Sequence, residues 1–240
     1  MNEHIVKAYD RDLELLGRRI AEMGGLAEKM LADAMDALVT FDTALAKKVV
    51  ECDARLDSLQ REIEESAILT IARRQPLAVD LRECIAAIRI SGDLERIGDL
   101  AKNIAKRAIK IAEAPRAPRA IVGLKSMNEV AAMQLTNALD AYAQRDVARA
   151  KDVWTNDADL DALEDSVFRD LLTFMMEDPR NISFCAHLLF CSKNLERVGD
   201  HTTNIAETVV YLVTGEAMPT ERPRARTAGA LDPGRADETP

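Results

Sequence analysis

Aromatic residues are scarce in this sequence: one Trp, three Tyr and five Phe make up only 4% of 240 residues. The cores of β-sandwiches and barrels rely on aromatic and β-branched side chains, so this composition disfavours both folds. Hydrophobic residues still account for 48% of the chain, which excludes a protein that is disordered throughout. Alanine, leucine, isoleucine and charged residues dominate, as they do in long amphipathic helices. We therefore predict an all-α protein.

The sequence also lacks a basic surplus, long apolar runs and paired cysteine motifs. Its 41 acidic and 32 basic residues give a net charge of −9, which disfavours a nucleic-acid-binding surface. No apolar run reaches the roughly 18 residues that a membrane-spanning helix needs, and the first residues do not resemble a secretory signal. The four cysteines form no Cys-x-x-Cys motif. We expect reduced core thiols in a cytoplasmic protein.

The chain contains two copies of one plan. Residues 90–105 read ISGDLERIGDLAKNIA and residues 191–206 read CSKNLERVGDHTTNIA, so three short motifs recur at an offset of 101 residues. Upstream, Asp53-Ala-Arg-Leu-Asp matches Asp157-Ala-Asp-Leu-Asp. Matching blocks in the same order indicate an internal duplication. Prolines at 115 and 118 separate the copies, which predicts domains over 1–114 and 115–215.

Each copy is predicted to form three long helices, because apolar residues recur at steps of three and four. The predicted ranges are about 5–41, 43–74 and 76–113 in the first copy, and 119–144, 146–178 and 180–214 in the second. Short connections make neighbouring helices antiparallel, so we expect a tandem repeat of two antiparallel three-helix bundles. Residues 216–240 are rich in proline, arginine, alanine and glycine, and we predict a disordered tail there.

Carboxylates interrupt the apolar stripe on two helices of the first copy. Glu95 and Asp99 lie on the third predicted helix, and Asp53 and Asp57 lie on the second, at nearly equal distances from the turn near residue 75. An antiparallel hairpin would therefore bring the two pairs face to face. Carboxylates at i, i+4 repel one another, and hard cations, which prefer oxygen ligands, can offset that repulsion. We predict a metal site at these four residues.

The second copy repeats this arrangement. There Asp157 and Asp161 would face Glu196 and Asp200, which predicts a second metal site. Sites built only of oxygen ligands accept magnesium, manganese, calcium or iron.

Three alternatives remain open at this point. The acidic pairs could be solvated faces, with Arg96 and Lys102 each pairing with Asp99 at i±3. The chain could be a helical scaffold without metals, or a di-metal carboxylate oxidase or metal-storage protein. No Glu-x-x-His of di-iron bundles, Ser-His-Asp arrangement, Walker-type loop or His-Glu-x-x-His motif is present, so we predict no enzymatic activity. His201 is expected to be a surface neighbour of the acidic pair, and His187 a core histidine.

With both Leu-Glu-Arg-(Ile/Val)-Gly-Asp motifs identified, the chain resembles the PhoU family of phosphate-signalling regulators over about residues 5–215. Residues 74–82, Arg-Gln-Pro-Leu-Ala-Val-Asp-Leu-Arg, are similar to the family's Arg-Gln-Pro-x-Ala-x-Asp-Leu-Arg stretch. The resemblance implies two three-helix bundles side by side, with multinuclear metal clusters on the eight carboxylates named above. Iron, magnesium, manganese, zinc and calcium all remain open as the metal.

The resemblance also implies a function. PhoU proteins dimerise, act as negative regulators of the phosphate regulon, and link the ATPase of a phosphate ABC transporter to a sensor histidine kinase at the inner membrane face. We therefore expect a homodimeric, metal-binding adaptor that regulates phosphate uptake, associates peripherally with the membrane and does not bind nucleic acid.

The basic turn of the first copy has no counterpart in the second. There the sequence Met-Glu-Asp-Pro-Arg-Asn over 176–181 replaces the Arg-Gln-Pro stretch, so a partner-binding role of the turn would belong to the first copy only. Arg73, Arg74 and Arg82 either contact a partner or cap a helix end and remain solvated.

Overall fold

A computed structural model describes residues 2–112, 118–156 and 158–219, and these residues form helices and no strands. The α-helices in these ranges are α1 (Asn2–Thr40), α2 (Thr43–Arg74), α3 (Val79–Ile111), α4 (Val122–Gln144), α5 (Val147–Thr155), α6 (Ala158–Glu177) and α7 (Ile182–Thr214). Short 3₁₀ segments, Pro118–Ile121 and Pro179–Asn181, precede α4 and α7. None of the described helices combines the length and apolar character needed to cross a membrane. The prediction of an all-α fold is confirmed.

The helices form two bundles that meet along α3 and α7. Helices α1–α3 pack together as the first bundle, and α4–α7 pack together as the second. Arg82 near the start of α3 donates from Nε to the carbonyl oxygen of Leu212 near the end of α7, at 3.1 Å. Arg107 near the end of α3 contacts His187 near the start of α7. The two helices are therefore antiparallel, and their Leu-Glu-Arg-x-Gly-Asp motifs lie near the middle of the contact.

Helix α3 buries one continuous apolar stripe, on a different face from the carboxylates. Its members are fully or almost fully buried, and they are Leu94, Ile97, Ala101, Ile104, Ala108 and Ile111. At the preceding hairpin, Asp42 caps α2 by accepting hydrogen bonds from the backbone N–H groups of Ala44 and Leu45, at 2.8 and 2.9 Å. The cap satisfies N–H groups that have no partner within the helix, so it defines where α2 begins.

The helix predicted over 146–178 is divided into α5 and α6. Gln134 of α4, which is almost fully buried, donates from Nε2 to the carbonyl oxygen of Asn156 at 3.0 Å. This bond satisfies a carbonyl at the helix end, and asparagine is in any case a poor helix former. Asp157, the next residue, lies outside the described residues. The second copy therefore has a helix break beside its first predicted carboxylate pair, where the first copy has a continuous α2.

Two arginines of the basic turn have partners within the chain. Arg74 donates to Asp12 at 3.1 Å, and Arg82 makes the bond to Leu212 described above. The turn contains Gln75 and Ala78 with φ of 50° and 51°, so α3 begins at Val79 and not at Pro76 as predicted. These contacts give Arg74 and Arg82 structural roles, while Arg73 is exposed.

The cysteines are all free thiols. Cys84, Cys185 and Cys191 are buried as predicted, whereas Cys52 is only half-buried. Burial raises the pKa of the Cys84 thiol to about 11, which keeps it in the unreactive protonated form at neutral pH.

Helix α7 ends at Gly215, which adopts a left-handed conformation and donates to the carbonyl oxygen of Tyr211 at 2.9 Å. From Thr220 onward, the tail predicted to be disordered lies outside the described residues, so that assignment stays a prediction. So do the domain boundaries, because residues 113–117 are also outside the described part.

Candidate metal centres

Helices α2 and α3 bring the four carboxylates of the first copy together. Asp53 and Asp57 on α2 and Glu95 and Asp99 on α3 are all half-buried. The Nζ atom of Lys102 donates to Asp53 Oδ2 at 2.6 Å and to Asp99 Oδ1 at 2.5 Å, so a single ammonium group bridges the two helices. We name these four carboxylates cluster 1.

Lys102 supplies a positive charge inside cluster 1. Burial alone would lower the pKa of its ammonium group, but hydrogen bonds and charge attraction to Asp53 and Asp99 raise that pKa to about 12. Arg96 also donates to Asp99, at 3.4 Å. Both ion pairs proposed under the metal-free alternative are therefore present, and the sequence did not indicate that Lys102 would also reach Asp53 on the neighbouring helix.

Glu95 forms an ion pair with Arg96 at 3.4 Å and shares that arginine with Asp99. Burial raises the pKa of the Glu95 carboxyl group most, and the charge of Asp99 raises it further. The charge of Arg96 lowers that pKa, while Asp57 and Asp53 each raise it by less. The native state thus takes up a proton at Glu95 more readily than the unfolded chain does, so its contribution to stability falls as the pH rises through that raised value. At neutral pH the repulsion among these carboxylates makes cluster 1 suited to a cation of higher charge than the lysine ammonium group.

The second copy presents a carboxylate oxygen without a partner. Glu196 Oε1 forms an ion pair with Lys193 Nζ at 2.8 Å. The other oxygen, Oε2, is buried and has no hydrogen-bond partner in the described part of the chain. Leaving a buried polar atom unsatisfied costs about 1–3 kcal/mol, and more for a charged group. A hard cation, which takes carboxylate oxygens as ligands, would satisfy this atom.

The remaining predicted ligands of the second copy are arranged more openly. Asp161 and Asp200 are exposed, and Asp157 is outside the described residues. The hydrogen bond that Lys193 donates to Glu196 does most to raise the pKa of the lysine, and the charges of Glu164 and Asp200 raise it further. Glu164 was not among the predicted ligands, although its position three residues after Asp161 placed it on the same face. We name the second group, Asp157, Asp161, Glu196 and Asp200, cluster 2.

No group of three or more His, Cys, Asp or Glu residues within the described ranges has the geometry of metal ligands. The carboxylates are instead arranged around lysine ammonium groups. Their chemistry fits a hard cation, since every predicted ligand atom is a carboxylate oxygen.

A contact between the bundles lies beside both clusters. Asp93 Oδ1 is 2.9 Å from Nδ1 of His201 and accepts from Nδ2 of Asn204 at 3.2 Å. His201 is therefore a partner of α3 and more than a surface neighbour. The prediction missed this contact because the hairpin register within one copy does not specify how the two copies meet.

Comparison with known proteins points to one family. The PhoU domain model matches residues 20–108 and again residues 124–209, once in each copy. The chain is 53% identical over 221 residues to a phosphate-specific transport system accessory protein PhoU homolog from Rhizobium meliloti, covering 92% of this chain and 93% of that protein. It is 47% identical over 224 residues to a homolog of the same name from Caulobacter vibrioides, covering 93% and 97%.

Solved structures show the same fold. The crystal structure of PhoU from Pseudomonas aeruginosa is similar with a TM-score of 0.84 at 40% identity, covering 87% of this chain and all of that one. The structure of the phosphate transport system regulatory protein PhoU from Streptococcus pneumoniae is similar with a TM-score of 0.81 at 26% identity, covering 88% and 99%.

Proposed function

This chain belongs to the PhoU family, and on that premise we propose that it regulates phosphate uptake. The observation that carries the proposal is the match of the PhoU domain to both copies, together with 53% identity to an accessory protein of a phosphate-specific transport system. Because that relative is covered over 93% of its length, the proposal extends to the whole protein and not to a single shared domain.

The more specific proposal is that the chain is a non-catalytic adaptor and a negative regulator of the phosphate regulon. In this role it would connect the ATPase of the phosphate ABC transporter with the sensor histidine kinase. Both partners would be met at the inner face of the cytoplasmic membrane, so we place the protein in the cytoplasm as a homodimer that associates with that face. The names of its relatives, which describe accessory and regulatory proteins, support an adaptor over a catalyst.

We also propose that clusters 1 and 2 hold divalent or ferric cations, with iron, magnesium, manganese, zinc and calcium as candidates. The raised pKa of Glu95 and the unpartnered Oε2 of Glu196 support cation binding at each cluster. Bound cations would neutralise the carboxylates and link neighbouring helices. Without them, Lys102 joins Asp53 to Asp99 across α2 and α3, so that the hairpin keeps its register.

The regulatory proposal predicts loss of repression when the gene is deleted. In a strain carrying a reporter under a phosphate-regulated promoter, deletion should raise expression at high phosphate, because the kinase is no longer restrained. A plasmid that supplies this chain should restore repression, and the empty plasmid serves as the control. Full repression in the deletion strain, with no second copy of the gene present, would contradict the proposal.

A further inference from the structure

Two equivalent grooves flank the contact between α3 and α7. The first, about 460 Å³, is lined mainly by Asn103, Lys106, Arg107, Lys110, Phe190 and Asn194, and we name it the basic groove. The second, about 470 Å³, has three carboxylates and two arginines in its lining, and we name it the acidic groove; these are Asp93, Glu95, Glu207, Arg89 and Arg96. Most residues that line the basic groove have a counterpart in the other copy, 101 positions away, that lines the acidic groove.

The two grooves differ in charge at corresponding positions. Lys106 in the basic groove corresponds to Glu207 in the acidic groove, and Asn194 corresponds to Asp93. No carboxylate lines the basic groove among the described residues, although the chain as a whole carries a net charge of −9. The duplication has therefore produced one groove with a local excess of positive charge.

The charge of Arg107 is held in place without a carboxylate partner in the described ranges. Its guanidinium carbon lies 4.3 Å from the ring centroid of Phe190, and its Nη1 lies 3.2 Å from Nδ1 of His187. Stacking on an aromatic ring orients a guanidinium while leaving its charge uncompensated. Lys106 and Lys110 are exposed, and neither forms an ion pair within the described part of the chain.

The positive charge of the basic groove also affects the neighbouring histidine. The pKa of the His187 imidazole is lowered, first by burial and then by the charges of Arg107 and Lys110. In the acidic groove, by contrast, Glu207 accepts from Trp154 at 3.0 Å and Asp93 is held by His201. There the polar side chains satisfy one another, whereas the cations of the basic groove have no acidic partner among the residues that the structure describes.

We propose that the basic groove binds a small anion that carries two or more linked phosphates. Three cations within about one helical turn suit a multiply charged ligand, since Arg and Lys are the principal phosphate-binding side chains. The amides of Asn103 and Asn194 add hydrogen-bond donors beside them. A groove of this size is within the range of small-molecule sites, roughly 300–1,000 Å³.

The linked phosphates could belong to a nucleoside triphosphate or to an inorganic phosphate chain. The ring of Phe190, which is 55% exposed, would contact a base and orient Arg107 in the first case, and would only orient Arg107 in the second. The proposal does not depend on cations at clusters 1 and 2, nor on the regulatory role.

The test is isothermal titration calorimetry of the full chain with ATP and, separately, with sodium triphosphate. The buffer contains EDTA, so that phosphates cannot be held through metal ions on the carboxylates. We expect saturable binding of at least one of the two compounds. In Lys106→Glu/Lys110→Glu the affinity should fall at least about tenfold, because two charge-assisted hydrogen bonds are lost. Lys125→Glu/Lys151→Glu, with the same charge change at exposed positions elsewhere, should bind like the wild type.

The two sources are separated by Phe190→Ala. A larger loss of affinity for ATP than for triphosphate identifies a nucleotide, and an equal loss for the two compounds identifies an inorganic chain. Thermal melts confirm that each variant is folded, and Lys106→Gln/Lys110→Gln replaces the charge reversal if it is not. The proposal is overturned if the wild type binds neither compound, or if the groove and control variants bind with equal affinity.

Discussion

Replacing Leu56 with alanine is expected to lower the free energy of unfolding by about 3–5 kcal/mol. Leu56 lies on α2 between Asp53 and Asp57, it is fully buried, and one of its δ-methyl groups occupies the space beside Gly98 on α3. Truncation removes apolar contacts and leaves a cavity beside Gly98. Because Leu56 lies between Asp53 and Asp57, we expect the same change to make the positions of these two carboxylates less fixed.

Gly98→Ala tests the other side of this contact. A methyl group at residue 98 would clash with the δ-methyl of Leu56, and overpacking of this kind costs about 1–3 kcal/mol. Alanine is about 1 kcal/mol more favourable than glycine inside a helix, and this gain offsets part of the cost. In Leu56→Ala/Gly98→Ala the new methyl fills part of the cavity, so we expect the double variant to lose less stability than the two single variants added together.

Urea denaturation in EDTA measures these changes. The coupling energy in the double-mutant cycle should reach about 0.5–3 kcal/mol, as for other residues in direct contact. Ile68→Ala is the matched control on α2, because Ile68 is 59% exposed and its loss should change stability by no more than about 0.5 kcal/mol. Strict additivity of Leu56→Ala and Gly98→Ala would show that the two residues do not share this space.

Lys102→Ala is expected to have opposite effects on stability and on cation affinity. In metal-free protein it removes the ammonium group that joins Asp53 to Asp99, and it leaves both half-buried carboxylates next to Glu95. Asp99 keeps Arg96 as a partner, but Asp53 loses its lysine. A half-buried charge without its partner costs about 1–3 kcal/mol, so the melting temperature should fall. The native lysine also occupies the space between the carboxylates, and a cation entering cluster 1 must displace it.

Lys102→Ala should therefore bind Mn²⁺ more tightly than the wild type, and saturating Mn²⁺ should raise its melting temperature by a larger increment. Thermal melts with EDTA and with increasing Mn²⁺ measure both effects. Lys125→Ala, at an exposed position on α4, is the control and should behave like the wild type in both conditions. Weaker Mn²⁺ binding in Lys102→Ala would contradict the idea that the lysine and the cation compete.

Helical periodicity predicted the arrangement of the first copy because it determines which face of each helix is buried. The short turn then sets the height at which α2 and α3 face each other, and these two constraints are enough to bring Asp53 and Asp99 to one lysine. The second copy departs from this pattern at Asn156. The carbonyl oxygen of Asn156 accepts a hydrogen bond from Gln134 on another helix. The residue pattern of a single helix cannot predict a bond of this kind.

Contacts between the two bundles could not be predicted in the same way. The pairing of Asp93 with His201 depends on the crossing of α3 and α7, which the repeat leaves undetermined. The charge difference between Lys106 and Glu207 is visible once the two copies are aligned. Only the structure shows that these positions line equivalent grooves.

The metal content of the purified full-length protein tests the central claim that the duplicated carboxylates are cation sites. Protein is incubated with Mn²⁺, desalted and analysed by inductively coupled plasma mass spectrometry. Glu95→Gln/Asp99→Asn should lose the metal of cluster 1, Glu196→Gln/Asp200→Asn that of cluster 2, and the quadruple variant both. Glu65→Gln/Glu129→Gln, which removes two exposed acids outside the clusters, should retain the wild-type content. Equal metal content in the wild type and the quadruple variant would contradict the claim.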